Sequence, residues 1–348
     1  MKPNQTIMTV RGPVPAEQCG MILPHEHLYI DLRNQAAPGA LSRTVEAADR
    51  PKLMCDPYCM KDNLLVGDED AAAGECAALK ECGCNTVVDC SLTEIGRDPE
   101  KLRRLAERTG VNVVMGCGFY TGDTHPARVA ELSVEDLAEE MVNEIRSGVG
   151  NTGIRPGIIG EIGTSREIGP GERKVLEAAA LAQKQTGLAI QVHIYPWLPN
   201  GLEAMKILTS KGVPPERIVI CHSDVEPDWN YISTLLREGV RVELDNFGKE
   251  FTPEPGGFAA GIFVPDTDRV KLAARIIDEG YGKQLLLTND LCLKCMLSSC
   301  GGQGYTHLFR NILPAIARLG VPEKYLRETI CRENPLELLC VPAEKIRG

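Results

Sequence analysis

Four of the six histidines in this chain lie where an apolar run gives way to polar residues. His25 and His27 do so in "LPHEHLYIDL", His193 in "LAIQVHI" and His222 in "RIVICHS". Glu161 in "GIIGEIG" and Asp290 in "LLLTND" are in the same situation. Imidazole suits zinc and related ions, and a carboxylate can join two of them. Four imidazoles and two carboxylates therefore make a sensible ligand set for two divalent ions. Such a pair, roughly 3.5–4 Å apart, can keep a hydroxide between them and polarise a carbonyl or phosphoryl oxygen. Taken singly, each residue has an ordinary reading. A histidine at a strand end can be a capping or core residue, Glu161 an ion-pair partner and Asp290 a helix N-cap. The set acquires meaning only if the fold gathers residues that are up to roughly 270 positions apart.

The elements needed for that are visible. Eight short apolar stretches, rich in valine and isoleucine, read as strands buried on both faces: "CGMILPHEH", "NTVVDCS", "VNVVMGCG", "IRPGIIGEIG", "LAIQVHI", "RIVICHS", "GVRVELDNF" and "KQLLLTND". Helical patterns lie between them, several opening on Asp, Ser or Asn and ending on Gly. An eighth, "THLFRNILPAIARLG", should be kinked by Pro314. Eight strand–helix units predict one (β/α)8 TIM barrel spanning 1–348, with an open doubly wound sheet as the rival. Such a barrel would place all six residues on one rim. The two-residue spacing would turn His25 and His27 inward and Glu26 outward, away from catalysis. Two long loops, residues 31–67 after strand one and the Gly/Pro-rich 248–265 after strand seven, would overhang the same rim.

Composition narrows the function classes. The net charge of -10 and the lack of a basic stripe exclude a nucleic-acid partner. The N-terminus has no apolar signal region and no run is long enough to span a membrane, so the expectation is a cytoplasmic protein with a small-molecule substrate. Fourteen cysteines in a chain of this size read as reduced thiols. Cys292, Cys295 and Cys300 include a C-x-x-C, but no second pair lies nearby to complete a structural zinc site.

The order H-x-H, Glu, His, His, Asp, with "TVRGPV", "GFYTGDTH", "GIIGEIGTS", "ICHSD" and "GGQGYTHLFRNILP" around it, resembles the phosphotriesterase family of the amidohydrolase superfamily over nearly the full chain. Within it the chain looks most like the phosphotriesterase-related proteins. Where the organophosphate-degrading branch has a carbamylated lysine, this sequence has Glu161. The resemblance implies two divalent ions, zinc first, with manganese or cobalt as alternatives. His25, His27 and Asp290 would hold the more buried ion and His193 and His222 the more exposed one. Glu161 would bridge with a hydroxide, and Asp290 would take the proton as that hydroxide attacks. It also implies that the chain is a homodimer.

Groups that could choose the substrate are less distinct. Tyr120 in "GCGFYTG" could touch a leaving group or a carbonyl oxygen. Lys249 and Lys294 could pair with a substrate anion, and Tyr305 follows a glycine-rich loop. His125 and His307 read as loop or first-turn residues. The leading function is hydrolysis of a carboxylic ester, above all a lactone. An amidase for a small N-acyl compound comes second and phosphotriester hydrolysis third, with a non-catalytic metal-binding protein last.

Overall fold

The computed structural model describes residues 5–253 and 261–341. The eight stretches form eight parallel strands: β1 Met21–Glu26, β2 Cys84–Asp89, β3 Asn112–Cys117, β4 Ile158–Gly163, β5 Ile190–His193, β6 Ile218–Ile220, β7 Arg241–Leu244 and β8 Leu285–Leu287. They are ordered β1 to β8 in one sheet that curls into a nearly closed barrel. Helices α1 Glu69–Glu81, α2 Pro99–Thr109, α3 Val134–Ser147, α4 Pro170–Thr186, α5 Gly201–Ser210, α6 Trp229–Arg237 and α7 Asp266–Ile276 cover the outside.

Local chemistry sets the helix limits. The Asp68 carboxylate accepts from Asp70 N and Ala71 N to open α1, and Ser133 forms a reciprocal capping box with Asp136 at α3. Gly110 ends α2 in the left-handed conformation, at φ 71°. On α2, Leu102, Leu105 and Ala106 recur at helical spacing and are all buried. Each leucine buried this way contributes about 1.5–3 kcal/mol. The eighth helical segment starts as a wide π turn, Leu308–Ile312, and becomes α8 at Leu313–Arg318. Pro314 in its first turn brings no amide hydrogen, so the kink takes the form of this loosened turn.

Inside the barrel, Ile22, Val88, Cys90, Val114, Ile158, Val219, Cys221 and Leu286 pack into one apolar plug. Ile7, from an N-terminal hairpin of Thr6–Thr9 with Gly12–Pro15, and Leu336, Leu338 and Leu339 close it from below. The sequence pattern did not reveal that hairpin. The strands slip in register between Met21 and Ile22 and between Leu23 and Glu26 on β1, and between Ile159 and Ile162 on β4. Such irregularities re-aim side chains at barrel rims. Ile22 and His25, three residues apart, thus both face the interior, as do Ile158 and Glu161.

The long loop after β1 is built of short turns, a helix Arg50–Cys55 and a two-residue ribbon, Ile30–Asp31 with Leu65–Val66. Of the loop expected at 248–265, residues 254–260 lie outside the described residues. Among the described residues no helix is long and apolar enough to cross a membrane.

Candidate metal centre

The six expected side chains meet at the C-terminal mouth of the barrel. His25 Nε2 is 3.4 Å from Glu161 Oε2 and 3.8 Å from Asp290 Oδ1. His27 Nε2 lies 3.1 Å from Asp290 Oδ1 and 3.3 Å from Glu161 Oε1. On the other side, Glu161 Oε2 is 3.1 Å from His193 Nδ1 and 3.4 Å from His222 Nε2. Two groups result, His25–His27–Asp290 and Glu161–His193–His222, each able to hold one ion. Glu161 faces both.

Two of these six residues bend the backbone. His222 and Asp290 have positive φ, 55° and 46°. That conformation costs of order 1–3 kcal/mol and persists only where the surroundings enforce it. Asp245 accepts from His222 N at 2.8 Å. Around Asp290, the amides of Asn289 and Leu291 both donate to the Glu26 carboxylate, at 2.9 and 2.8 Å. Glu26 therefore points out of the barrel interior, as expected, and shapes the Asp290 turn. Burial pushes its carboxyl up to about 7 despite these donors.

The far side of three imidazoles is engaged, which fixes what the near side offers. His25 Nδ1 is 2.9 Å from Glu243 Oε2 and His222 Nδ1 is 3.0 Å from Asp245 Oδ1. A carboxylate only accepts, so both Nδ1 atoms carry a proton, and Nε2 is the atom left to bind an ion once its own proton is displaced. His27 Nδ1 is 2.9 Å from Ser91 Oγ, which donates its own proton to Tyr29 O. That leaves His27 Nε2 as the atom that can exchange its proton for an ion. Carboxylates behind histidines recur in metal sites, where they orient the ring and raise its basicity.

The donor set fits cations. His25 Nε2 and Asp290 Oδ1 are buried polar atoms with no hydrogen-bond partner. His222 Nε2 and His193 Nδ1 face each other at 2.8 Å. Burial works against charge on His27, but the Asp290 and Glu161 carboxylates outweigh it and push its pKa up to about 9. Burial likewise opposes charge on His222, where Asp245 and Glu161 raise it to about 10. The carboxylates thus draw positive charge into the mouth, and divalent ions would supply it in place of protons. A third grouping, His25 with Cys221, Glu243 and Asp245, reads as support. It would use His25 Nδ1, which Glu243 already engages, and burial raises the Cys221 thiol far above thiolate formation.

Replacing Asp245 with alanine frees the His222 ring and its strained amide. We expect metal affinity to fall about 10- to 100-fold, read by competition with a chromogenic chelator. Unchanged affinity would show that Asp245 does not hold His222 for the ion.

A cavity of about 760 Å³ opens above the two groups, lined in part by Tyr58, Tyr120, Trp197, Phe251 and Phe263. Tyr120 lines it with its Oη 3.4 Å from His193 Nδ1. Lys249 also lines the cavity, and its ammonium donates to Asp290 Oδ2. Lys294 and Tyr305 are not brought to the cavity. Lys294 turns to Asp62 at 2.6 Å. The buried Tyr305 phenol donates to His27 O at 2.7 Å and supports the site from beneath. His125 bonds the Tyr120 carbonyl and His307 bonds Asp266. Cys292 lines the cavity, Cys295 is buried and Cys300 is half-buried. Among the described residues none of the three joins a metal-binding group.

The sequence reading missed Glu243 and Asp245. Their signal was present, two carboxylates at alternate positions of "RVELDNF", a strand otherwise apolar.

A model of the phosphotriesterase family matches residues 5–339. An N-acetyltaurine hydrolase from Xenopus tropicalis is 34% identical over 344 residues, covering 96% of this chain and 97% of that one. The Homo sapiens N-acetyltaurine hydrolase is 32% identical with the same coverage. Among solved structures, a resiniferatoxin-binding protein from Rhodobacter sphaeroides superposes with a TM-score of 0.91 at 33% identity, covering 96% of this chain and 94% of that one. A phosphotriesterase homology protein from Escherichia coli, complexed with phosphate in its active site, does so with a TM-score of 0.77 at 28% identity, covering 92% and 99%.

Proposed function

We propose, from the premise that this chain belongs to the phosphotriesterase family, that it is a metal-dependent hydrolase cleaving the amide bond of a small N-acylated amine. The observation that carries this reading is the full-length similarity to relatives named N-acetyltaurine hydrolase, joined to the two ligand groups beneath one cavity. The ester or lactone substrate that led the sequence reading gives way to the amide, its former second.

Two divalent ions, zinc on the evidence of an imidazole and carboxylate donor set, would supply an activated water and polarise the acyl oxygen. The residues do the rest. His25, His27 and Asp290 would hold one ion, and His193 and His222 the other, with Glu161 facing both groups. Tyr120 stays protonated, since burial and the nearby Glu161 charge raise its pKa well above the usual phenol value. Its hydroxyl is thus a hydrogen-bond donor for the substrate oxygen. Asp290 takes the proton of the attacking water and returns it to the departing amine, which cannot leave unprotonated. Lys249, donating to Oδ2, keeps Oδ1 turned to His25 and His27.

The test is turnover by zinc- or manganese-loaded protein on N-acyl amines, lactones, phosphorylated sugar lactones and paraoxon. We expect kcat/KM for an N-acyl amine to exceed the others by at least about tenfold, a barrier difference of about 1.4 kcal/mol. Faster turnover of a lactone would overturn the amide assignment.

A further inference from the structure

Among the described residues lining the cavity, two carry a fixed positive charge, Arg166 and Lys249. The Lys249 ammonium is spent on Asp290. Arg166 is not so engaged, because its guanidinium lies over the Tyr195 ring, 5.8 Å from the centroid, and ion-pairs with no carboxylate among the described residues. From this we propose that Arg166 is a specificity-determining residue that receives an oxyanion, sulfonate or carboxylate, on the amine side of the substrate. The inference rests on the amide reading above.

The loop that carries Arg166 is held in place. Thr164 N and Thr164 Oγ1 both lie within hydrogen-bond distance of the His193 carbonyl, at 2.9 and 2.8 Å. Ser165 donates to Glu172 through its amide and its hydroxyl, at 3.0 and 2.5 Å. Asn200 Nδ2 donates to Ser165 O at 2.8 Å. The residue before Arg166 is therefore fixed to α4 and to the loop after β5, beside the ligand His193. A guanidinium with one face on an aromatic ring keeps its edge N–H groups free, and these match the paired oxygens of a carboxylate or sulfonate.

Barrel order then orients the substrate. In a ring of eight strands the loops after β4 and β5, with Arg166 and Tyr195, stand across the mouth from the loop after β1. That opposite wall offers Ile30, Leu32 and Tyr58 with the uncharged Asn34 and Gln35, and no cation. With the amide carbon over the ligand groups, the acyl end lies on the uncharged wall and the charged end of the amine on the Arg166 wall. A local cation matters in a chain of net charge -10, whose overall field repels anions.

The experiment uses metal-loaded wild type, Arg166→Ala and Arg166→Lys with N-acetyltaurine, N-acetyl-β-alanine and the uncharged N-propylacetamide. In Arg166→Ala we expect KM for the anionic substrates to rise about 10- to 100-fold, the range of a lost charge-assisted hydrogen bond, with kcat within about threefold. N-propylacetamide should be unaffected, and Arg166→Lys should recover part of the loss. The larger KM rise, for N-acetyltaurine or for N-acetyl-β-alanine, tells which oxyanion the site fits. An equal change for the uncharged amide, or no change for the anions, overturns the assignment. Calorimetric binding of the same three compounds separates this inference from the one beneath it. Anion-selective binding lost in Arg166→Ala, without turnover of any amide, upholds the site and rejects the amide reading. Amide turnover without anion selectivity does the reverse.

Discussion

Asparagine in place of Asp290 will lower kcat/KM at least about a thousandfold, within the range expected when a positioned proton acceptor is lost together with a metal ligand. The protein will still fold. The present carboxylate serves two neighbours at once, with Oδ1 turned to His25 Nε2 and His27 Nε2 and Oδ2 receiving the Lys249 ammonium. Burial alone would raise its pKa, but Lys249 and His27 outweigh that and hold it well below the usual carboxylate range. It is thus ionised at neutral pH and can act as an acceptor. An amide cannot serve both neighbours. If its oxygen stays with Lys249, its NH2 group is aimed at the two imidazole lone pairs where an ion should sit. If it turns round, the NH2 group meets a buried ammonium, which costs about 1–3 kcal/mol as an unsatisfied contact. The first orientation wins, and both the ligand and the proton acceptor go. Steady-state kinetics with circular dichroism as the folding control tests this, and near-normal turnover would remove Asp290 from the proton-transfer role.

Alanine at Glu161 should change the count of ions as well as the rate. Removing that carboxylate leaves His193 and His222 as a pair of imidazoles, too few to retain zinc where three or four protein ligands are usual. His25, His27 and Asp290 still form a group of three. Elemental analysis after metal loading and desalting should therefore find about one divalent ion per chain in Glu161→Ala against about two in the wild type. Turnover should fall at least about a thousandfold, because two ions would share the activation of the water and the polarisation of the acyl oxygen. Two retained ions in the variant would show that Glu161 is not the shared ligand.

How far the sequence could be read depended on whether a residue's place was set by a regular element or by a loop. His25, His27, Glu161, His193, His222 and Asp290 stand at strand ends, and strand order alone carries them to one rim. Lys249 and Lys294 looked alike as loop lysines after strands seven and eight. Only the path of the chain sends the first into the cavity and the second to Asp62. Tyr120 and Tyr305 were equally alike, and one borders the cavity while the other is sealed beneath His27. Glu243 and Asp245 escaped notice because a strand covered on both faces is expected to be apolar, and the exception to that pattern was the informative part. The turns at His222 and Asp290 were out of reach, since positive φ at a histidine or aspartate is enforced by distant partners, Asp245 and Glu26. Arg166 gave no signal at all in a polar loop.

The nearly closed barrel described above has a gap with its own consequence. β1 and β8 end the sheet and share no backbone ladder. Side chains span the gap instead: the Thr288 hydroxyl lies 2.8 Å from His25 O and 2.7 Å from Glu26 Oε1, and Glu26 takes the amides beyond β8. His25 and His27 sit on one lip of this seam and Asp290 on the other. An ion held by all three is then a clasp between segments about 265 residues apart, and closing so long a loop by one bond restricts the unfolded chain more than any short-range link could. Binding that favours the closed form also stabilises it by mass action. An ion that served the chemistry there would thus double as the fastener of the barrel, and a chelator would then loosen the first and last strands from each other before it disturbed any of the seven paired joints between them.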